Sequence, residues 1–326
     1  MAEPSSASLP DPDGNAQRWA VDQVGGHPVW LRTRPWAEVW RVDAVDGTWW
    51  LKLNTARTVY EPRLLAALAG LGSPLLPRVI VHPDQPWSLV ADAGRSAREL
   101  LVEASPEQRV DYWCRLLPAY AELQRAATEL DLTGVGVPDF SPPRLLDRFD
   151  EVTSAIGWFD AATAGADGVA VRERFDAIRP RLQRAATRLA GGVPPTVQHD
   201  DLHDGNVFGG GDDDASTRVI DWGDAVVGHP FGTLQVTVRA LAATLSRDRD
   251  DPSLTRVTDA YLEPWRTGGE SRAALLEQCD LAVAVGALTR AAGWQRALGT
   301  PATAVAMEDG DAVAYWMLRL DEWLSA

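Results

Sequence analysis

The segment His199-Asp200-Asp201-Leu202-His203-Asp204-Gly205-Asn206 concentrates side chains that move protons and bind cations. Fifteen positions beyond Asn206, an apolar run ends in Ile220-Asp221-Trp222-Gly223-Asp224. Mg²⁺ takes oxygen ligands, usually one or two from protein with phosphate oxygens completing the shell. The Asn206 carboxamide and the Asp221 carboxylate suit that part. Asp201 is then available to orient a substrate hydroxyl and accept its proton. A base, an Asn and an Asp for the metal, and a distant Lys for the phosphates are the residue set of phosphoryl transfer. The chain has one lysine, Lys52, among 31 basic residues.

Composition narrows the partners. With 45% apolar and 24% charged residues, the chain is globular rather than disordered. Its 326 residues suit two domains, or one fold with two lobes. A net charge of −15 excludes broad binding to nucleic acid or anionic membranes, which need a basic surface. It is compatible with a cationic small molecule, although acidic surfaces also serve solubility. Two distant cysteines, Cys114 and Cys279, give no disulfide framework and suit a reducing cytoplasm. The first residues lack a basic region followed by an apolar one, so no signal peptide is expected. No apolar run approaches the roughly 18 residues of a membrane span. The 14 tryptophans read as core and pocket lining.

These groups must be held by something. Residues 1–16, rich in Pro, Ser, Asp and Gly, read as a loose arm. Strand-like runs follow at Pro28–Arg32, Glu38–Val42 and Thr48–Leu53, the last two joined by an Asp46-Gly47 hairpin signal. A helical pattern over Val59–Leu71 precedes two more strands, Arg78–His82 and Trp87–Ala91. Beyond Gly94 the chain turns mainly helical. Ser105-Pro106-Glu107 starts a helix that Pro118 should kink or split. Further helices are expected at Pro142–Ile156, at Val169–Leu189 and throughout the chain from Leu234. Short strands at Thr196–Gln198, Val207-Phe208 and Arg218–Ile220 flank the chemical segment, and the Asp212-Asp213-Asp214 run reads as a solvated hairpin loop.

The segment from His199 to Asn206 resembles the catalytic loop of the aminoglycoside phosphotransferase family, His-Gly-Asp-Leu-His-x-Gly-Asn. It matches at His199, Asp201, Leu202, His203, Gly205 and Asn206, and departs at Asp200, where the family usually has Gly. Ile220-Asp221-Trp222 resembles the family's metal-binding Ile-Asp-Trp motif. The resemblance covers about residues 25–320 and implies an α+β, protein-kinase-like fold. A small β-rich lobe (1–92) would bind nucleotide, and a larger, mainly helical lobe (93–326) would carry catalysis and the acceptor. It also implies roles. Lys52, on the third strand, binds nucleotide phosphates and pairs with Glu61 on the following helix. The hairpin Thr33–Glu38, which lacks glycine, covers the phosphates. Backbone groups near Ala91 and Ala93 bond the purine, and His199 packs against the metal region.

Other readings stand beside these. His199 and His203 at i, i+4 would suit zinc on a helix, but Gly205 and the strand-like flanks argue against one. His203 reads as structural, and Asp224 as a supporting acid or a helix N-cap. The expected reaction is transfer from ATP or GTP, with Mg²⁺, to a small-molecule hydroxyl. An aminoglycoside-type antibiotic or similar cationic metabolite leads the acceptors. A macrolide, choline, homoserine or a sugar, or a non-catalytic nucleotide-binding module, are the alternatives.

Overall fold

The computed structural model describes residues 11, 13–209, 216–248 and 250–325. The Asp212–Asp214 loop and most of the expected N-terminal arm lie outside these residues. The described end of that arm instead enters a helix, α1 (Asn15–Val24), where the Asp11 carboxylate accepts from Ala16 N–H at 2.6 Å. Ala16 and Ala20 of α1 are fully buried.

A five-stranded antiparallel sheet follows. Its strands are β1 (His27–Arg34), β2 (Ala37–Ala44) and β3 (Gly47–Asn54), then α2 (Glu61–Ala69), β4 (Val79–Val81) and β5 (Trp87–Ala91). The spatial order is β1-β2-β3-β5-β4, with Lys52 opposite Ser88 across β3 and β5. Gly47, at φ 128°, closes the Asp46-Gly47 hairpin in a conformation that L side chains rarely adopt. The period-2 alternation of β3 explains where Lys52 points. Trp49, Leu51 and Leu53 face one side and pack with α1, Val42, Trp87 and Leu89. Trp50 and Lys52 are thereby turned to the other face, toward the rest of the chain. Truncating Leu51 to Ala should cost about 2–5 kcal/mol, the usual loss for a buried leucine.

The remainder is mainly helical: α3 (Ala97–Leu100), α4 (Pro106–Ala126), β6 (Asp139–Phe140), α5 (Leu145–Ser154), α6 (Ala161–Arg172) and α7 (Phe175–Ala190). Then come β7 (Thr196–Gln198), β8 (Val207–Phe208), β9 (Arg218–Val219) and β10 (Val226–Gly228). Helices α8 (Leu234–Leu245), α9 (Pro252–Leu262), α10 (Arg272–Leu298), α11 (Pro301–Ala306) and α12 (Ala312–Trp323) complete it. Two expectations are corrected. Helix α4 runs through Pro118 as one 21-residue helix. Buried Leu116, Leu117 and Tyr120 on either side hold it together despite the missing N–H. The single helix expected over Val169–Leu189 is the end of α6 and most of α7, broken at Glu173-Arg174 without a Gly or Pro to mark it.

Strand β7 pairs with β10, and β8 pairs with β9. These short ladders set the geometry of the chemical segment, since its loop leaves β7 and returns through β8. None of the helices among the described residues is long and apolar enough to cross a membrane.

Candidate active site

The β8–β9 hairpin brings the two motifs together. Ile220 N–H donates to Asn206 O at 3.0 Å, so Asn206 and Asp221 stand side by side. His199 is fully buried and locks the same pair of segments. Its Nε2 donates to Ile220 O at 2.8 Å and its Nδ1 accepts from Asp201 N–H at 3.3 Å. Burial holds this imidazole below the usual histidine range, which favours the neutral ring the two contacts require. With both ring nitrogens engaged, His199 has no lone pair for zinc. Among the described residues no group of three or more His, Cys, Asp or Glu side chains is arranged to hold a metal ion.

Asn206 Nδ2 donates to Asp201 O at 2.9 Å and to Asp201 Oδ2 at 3.0 Å, which fixes the Asp201 carboxylate from below. Burial alone would raise Asp201, but His203 and Arg290 outweigh it and hold the carboxyl below its ordinary value. His203 Nε2 lies 3.5 Å from Asp201 Oδ2. The Asp201 and Asp204 carboxylates push His203 up to about 9. Gly205 N–H, donating to Nδ1 at 2.9 Å, and the nearby Arg98 guanidinium oppose a proton on that nitrogen. Nε2 therefore carries a proton in the charged ring as in the neutral one, directed toward Asp201. A side chain at Gly205 would meet the His203 ring at 2.7 Å, so the loop needs glycine there.

Lys52 Nζ is 2.7 Å from Glu61 Oε2 and 2.6 Å from Asp221 Oδ1. Burial works against the Lys52 charge, but the Asp221 and Glu61 carboxylates outweigh it and hold it above the ordinary lysine value. Glu61 is buried and held from the other side by Asn54 Nδ2, at 2.6 Å. The Asp221 carboxylate is lowered by Lys52 and is 43% exposed, open to the cleft. Both Asp200 and Asp221 are left-handed, at φ 61° and 62°. Such strain gathers at working sites, and Asp is among the residues that bear it most easily. It also explains the departure at Asp200, a position that otherwise suits Gly.

Two cavities meet here. A cleft of about 380 Å³ runs between the sheet and the helical part, lined by Leu31, Val39, Trp50, Lys52, Ala91, Ala93, Phe208 and Asp221 among others. A second cavity of about 170 Å³ is lined by Asp201, Asp221, Asp224 and Arg290, with Trp36 and Trp294 as its aromatic walls. Asp221 and Trp36 line both. Trp36 lies in the turn of the β1–β2 hairpin. Asp224 is not a helix N-cap; it lies in the turn Trp222–Asp224 and accepts from Arg290 Nη1 at 3.2 Å. Arg290 is the main residue that sequence reasoning missed. It sits about ninety positions beyond the His199–Asn206 segment, in an arginine-rich chain, and no motif marks it.

The fold is that of the protein-kinase-like class. Residues 36–276 match the phosphotransferase enzyme family (APH), and the chain belongs to it. No curated protein matches the sequence. Among solved structures, ethanolamine kinase from Plasmodium vivax superposes with a TM-score of 0.61 at 12% identity, covering 95% of this chain and 84% of that one. Macrolide 2′-phosphotransferase from Brachybacterium faecium gives 0.55 at 18% identity over 93% and 98% of the two chains. Spectinomycin phosphotransferase, solved with ADP and spectinomycin, gives 0.51 at 12% identity over 94% and 98%. At these identities the likeness is one of fold.

Proposed function

We propose that this chain transfers the γ-phosphoryl group of ATP or GTP to a hydroxyl of a small cationic molecule, with residues 1–92 as the nucleotide lobe and 93–326 as the catalytic lobe. The observation that carries this reading is that the two cavities share Asp221 and Trp36. A nucleotide lying in the larger cleft, with its purine near Ala91 and Ala93, reaches the boundary with its γ-phosphate. Asp201 faces that boundary from the smaller cavity.

Lys52, set by Glu61, holds the nucleotide phosphates. Asn206 and Asp221 offer adjacent oxygen donors of the type Mg²⁺ takes, with room for phosphate oxygens as the remaining ligands. When bound, Mg²⁺ would offset charge on the phosphates. Asp201 accepts the acceptor's hydroxyl proton as the acceptor oxygen bonds to the γ-phosphorus. The bond from that phosphorus to the β–γ bridging oxygen breaks, and ADP or GDP leaves with the electron pair. Positioning and electrostatics supply most of such a rate. His199, His203 and Asp224 support the loop rather than react.

Three carboxylates against the one guanidinium of Arg290, with two indoles, line the smaller cavity and suit a hydroxylated cation, as does the net charge of −15. Aminoglycoside-type antibiotics and amino alcohols such as ethanolamine and choline head the acceptor panel; macrolides, homoserine and sugars follow. The test is nucleoside diphosphate release across this panel by wild type and Asp201→Ala. Turnover with one acceptor class should vanish in the variant while nucleotide still raises the melting temperature. Full turnover by Asp201→Ala would falsify the assignment.

A further inference from the structure

We propose that Arg290 is a positioning residue for this transfer: it holds the Asp201 base in register with the acceptor cavity. The inference rests on the phosphoryl-transfer reading and adds a residue to it. Arg290 Nη1 donates to Asp200 O at 2.8 Å and to Asp224 Oδ2 at 3.2 Å, and it lies 3.4 Å from Asp201 Oδ1. One guanidinium therefore ties the catalytic loop, the turn after Asp221 and helix α10 at a single point. Its side chain is 11% exposed, so these contacts act with little screening by water.

The group is also fixed from elsewhere. The Trp316 ring of α12 lies 5.9 Å from Arg290 Cζ, and the same ring carries Arg239 at 4.5 Å. Next to Arg290 on α10, Thr289 Oγ1 donates to Asp200 Oδ1 at 2.6 Å. Helix α10 thus grips residue 200 by its carboxylate and by its backbone carbonyl, one position before the base. The same helix presents Gly293 and Trp294 to the acceptor cavity. Without Arg290, Asp201 and Asp224 would face each other across that cavity with no cation between them. Removing one member of a buried charge cluster leaves the others uncompensated, and one of them is the carboxylate that must meet the hydroxyl. A displacement of about 1 Å at a reacting group can cost about 10²-fold in rate.

The experiment compares wild type, Arg290→Met, Arg290→Lys and Asp224→Asn. It reads diphosphate release with the best acceptor, the slower release to water without acceptor, and nucleotide-dependent melting. The expected result is a kcat at least tenfold lower in Arg290→Met, with the nucleotide KM within about twofold of wild type. Arg290→Lys, which keeps the charge but loses the planar fork, should fall between the two. If Arg290→Met does not fold, Arg290→Lys and Asp224→Asn carry the test, each expected to lower kcat without raising the nucleotide KM. A wild-type kcat in these variants overturns the role of Arg290 and leaves the phosphotransfer reading standing. A loss confined to nucleotide KM overturns it too. Wild-type protein that binds nucleotide yet releases no diphosphate, to any acceptor or to water, overturns the phosphotransfer reading and the Arg290 role together.

Discussion

Lys52 Nζ lies 2.6 Å from Asp221 Oδ1, closing a contact between residues 169 positions apart. The pair spans the cleft. It joins the central strand of the N-terminal sheet to the turn that follows β9. Glu61 shares the same ammonium, so one cation is held between a buried carboxylate and one open to the cleft. An incoming triphosphate, with any cation it carries, must share or divide this triad.

Lys52→Arg tests the triad. The guanidinium keeps the charge but is larger and planar, and it cannot take the place of a compact ammonium between Glu61 and Asp221. Diphosphate release should fall at least tenfold, about 1.4 kcal/mol of barrier. The melting temperature should fall less than in Lys52→Met, because a positive charge is kept beside buried Glu61 although its compact fit is lost. Wild-type rates in Lys52→Arg would remove Lys52 from the phosphate site.

Asp221→Asn tests the cation. A ligand that binds only the folded state raises its stability in proportion to RT ln(1 + [L]/Kd). Wild-type protein should melt at a higher temperature with nucleotide and Mg²⁺ than with nucleotide and a chelator. Asp221→Asn should lose most of that difference, since a neutral amide is a weaker ligand for a hard cation. An undiminished Mg²⁺-dependent shift in the variant would place the cation elsewhere.

Tyr60→Phe tests how the sheet-bearing part grips the turn after Asp221. Tyr60, just before α2, donates its hydroxyl proton to Gly223 O at 2.5 Å, and Ala225 O lies 3.1 Å away. Removing the hydroxyl leaves a buried carbonyl short of a donor, at a cost of about 1–3 kcal/mol. Chemical denaturation should register that loss with an unchanged m-value. Nucleotide affinity should weaken as well, because Gly223 is only two positions from Asp221 in the chain. A variant as stable as wild type would mean that water satisfies the carbonyl.

The contacts that sequence made readable are those set by local pattern. The alternation Trp49-Trp50-Leu51-Lys52-Leu53 was enough to put Lys52 opposite the apolar face of its strand, and Asp46-Gly47 was enough to close the hairpin before it. The spacing from Asp201 through Asn206 to Asp221 marked the loop and the turn. What escaped depends on long-range packing. Arg290 is one of thirty arginines, and nothing in the stretch from Thr289 to Trp294 says that it meets the catalytic loop. Pro118 carries a local helix-breaking signal that the burial of its neighbours overrides. The break between α6 and α7 falls where helical spacing continues across it. Asp200 was legible as a substitution for Gly, but its buried carboxylate and its bond to Thr289 belong to a helix nearly ninety positions away.

That carboxylate makes the stability of the protein sensitive to pH. Asp200 is 2% exposed, and its Oδ2 has no hydrogen-bond partner among the described residues. Burial pushes its pKa up to about 7, against the lowering effect of Arg290 and Thr289. An aspartate in the unfolded chain titrates near its ordinary value, about 3.9. Between these two values the folded state keeps a proton that the unfolded state has lost. Stability from this group is therefore fully present below about pH 4 and is lost as pH rises toward about 7. A shift of about three units corresponds to about 4 kcal/mol across that window, as an upper bound. Asn accepts a left-handed backbone and carries no proton to lose. Asp200→Asn should thus gain on wild type steadily between pH 5 and pH 8 in paired denaturation curves, with no further gain above that. Parallel curves for the two proteins across the same range would show that Asp200 is ionised throughout, held so by Arg290.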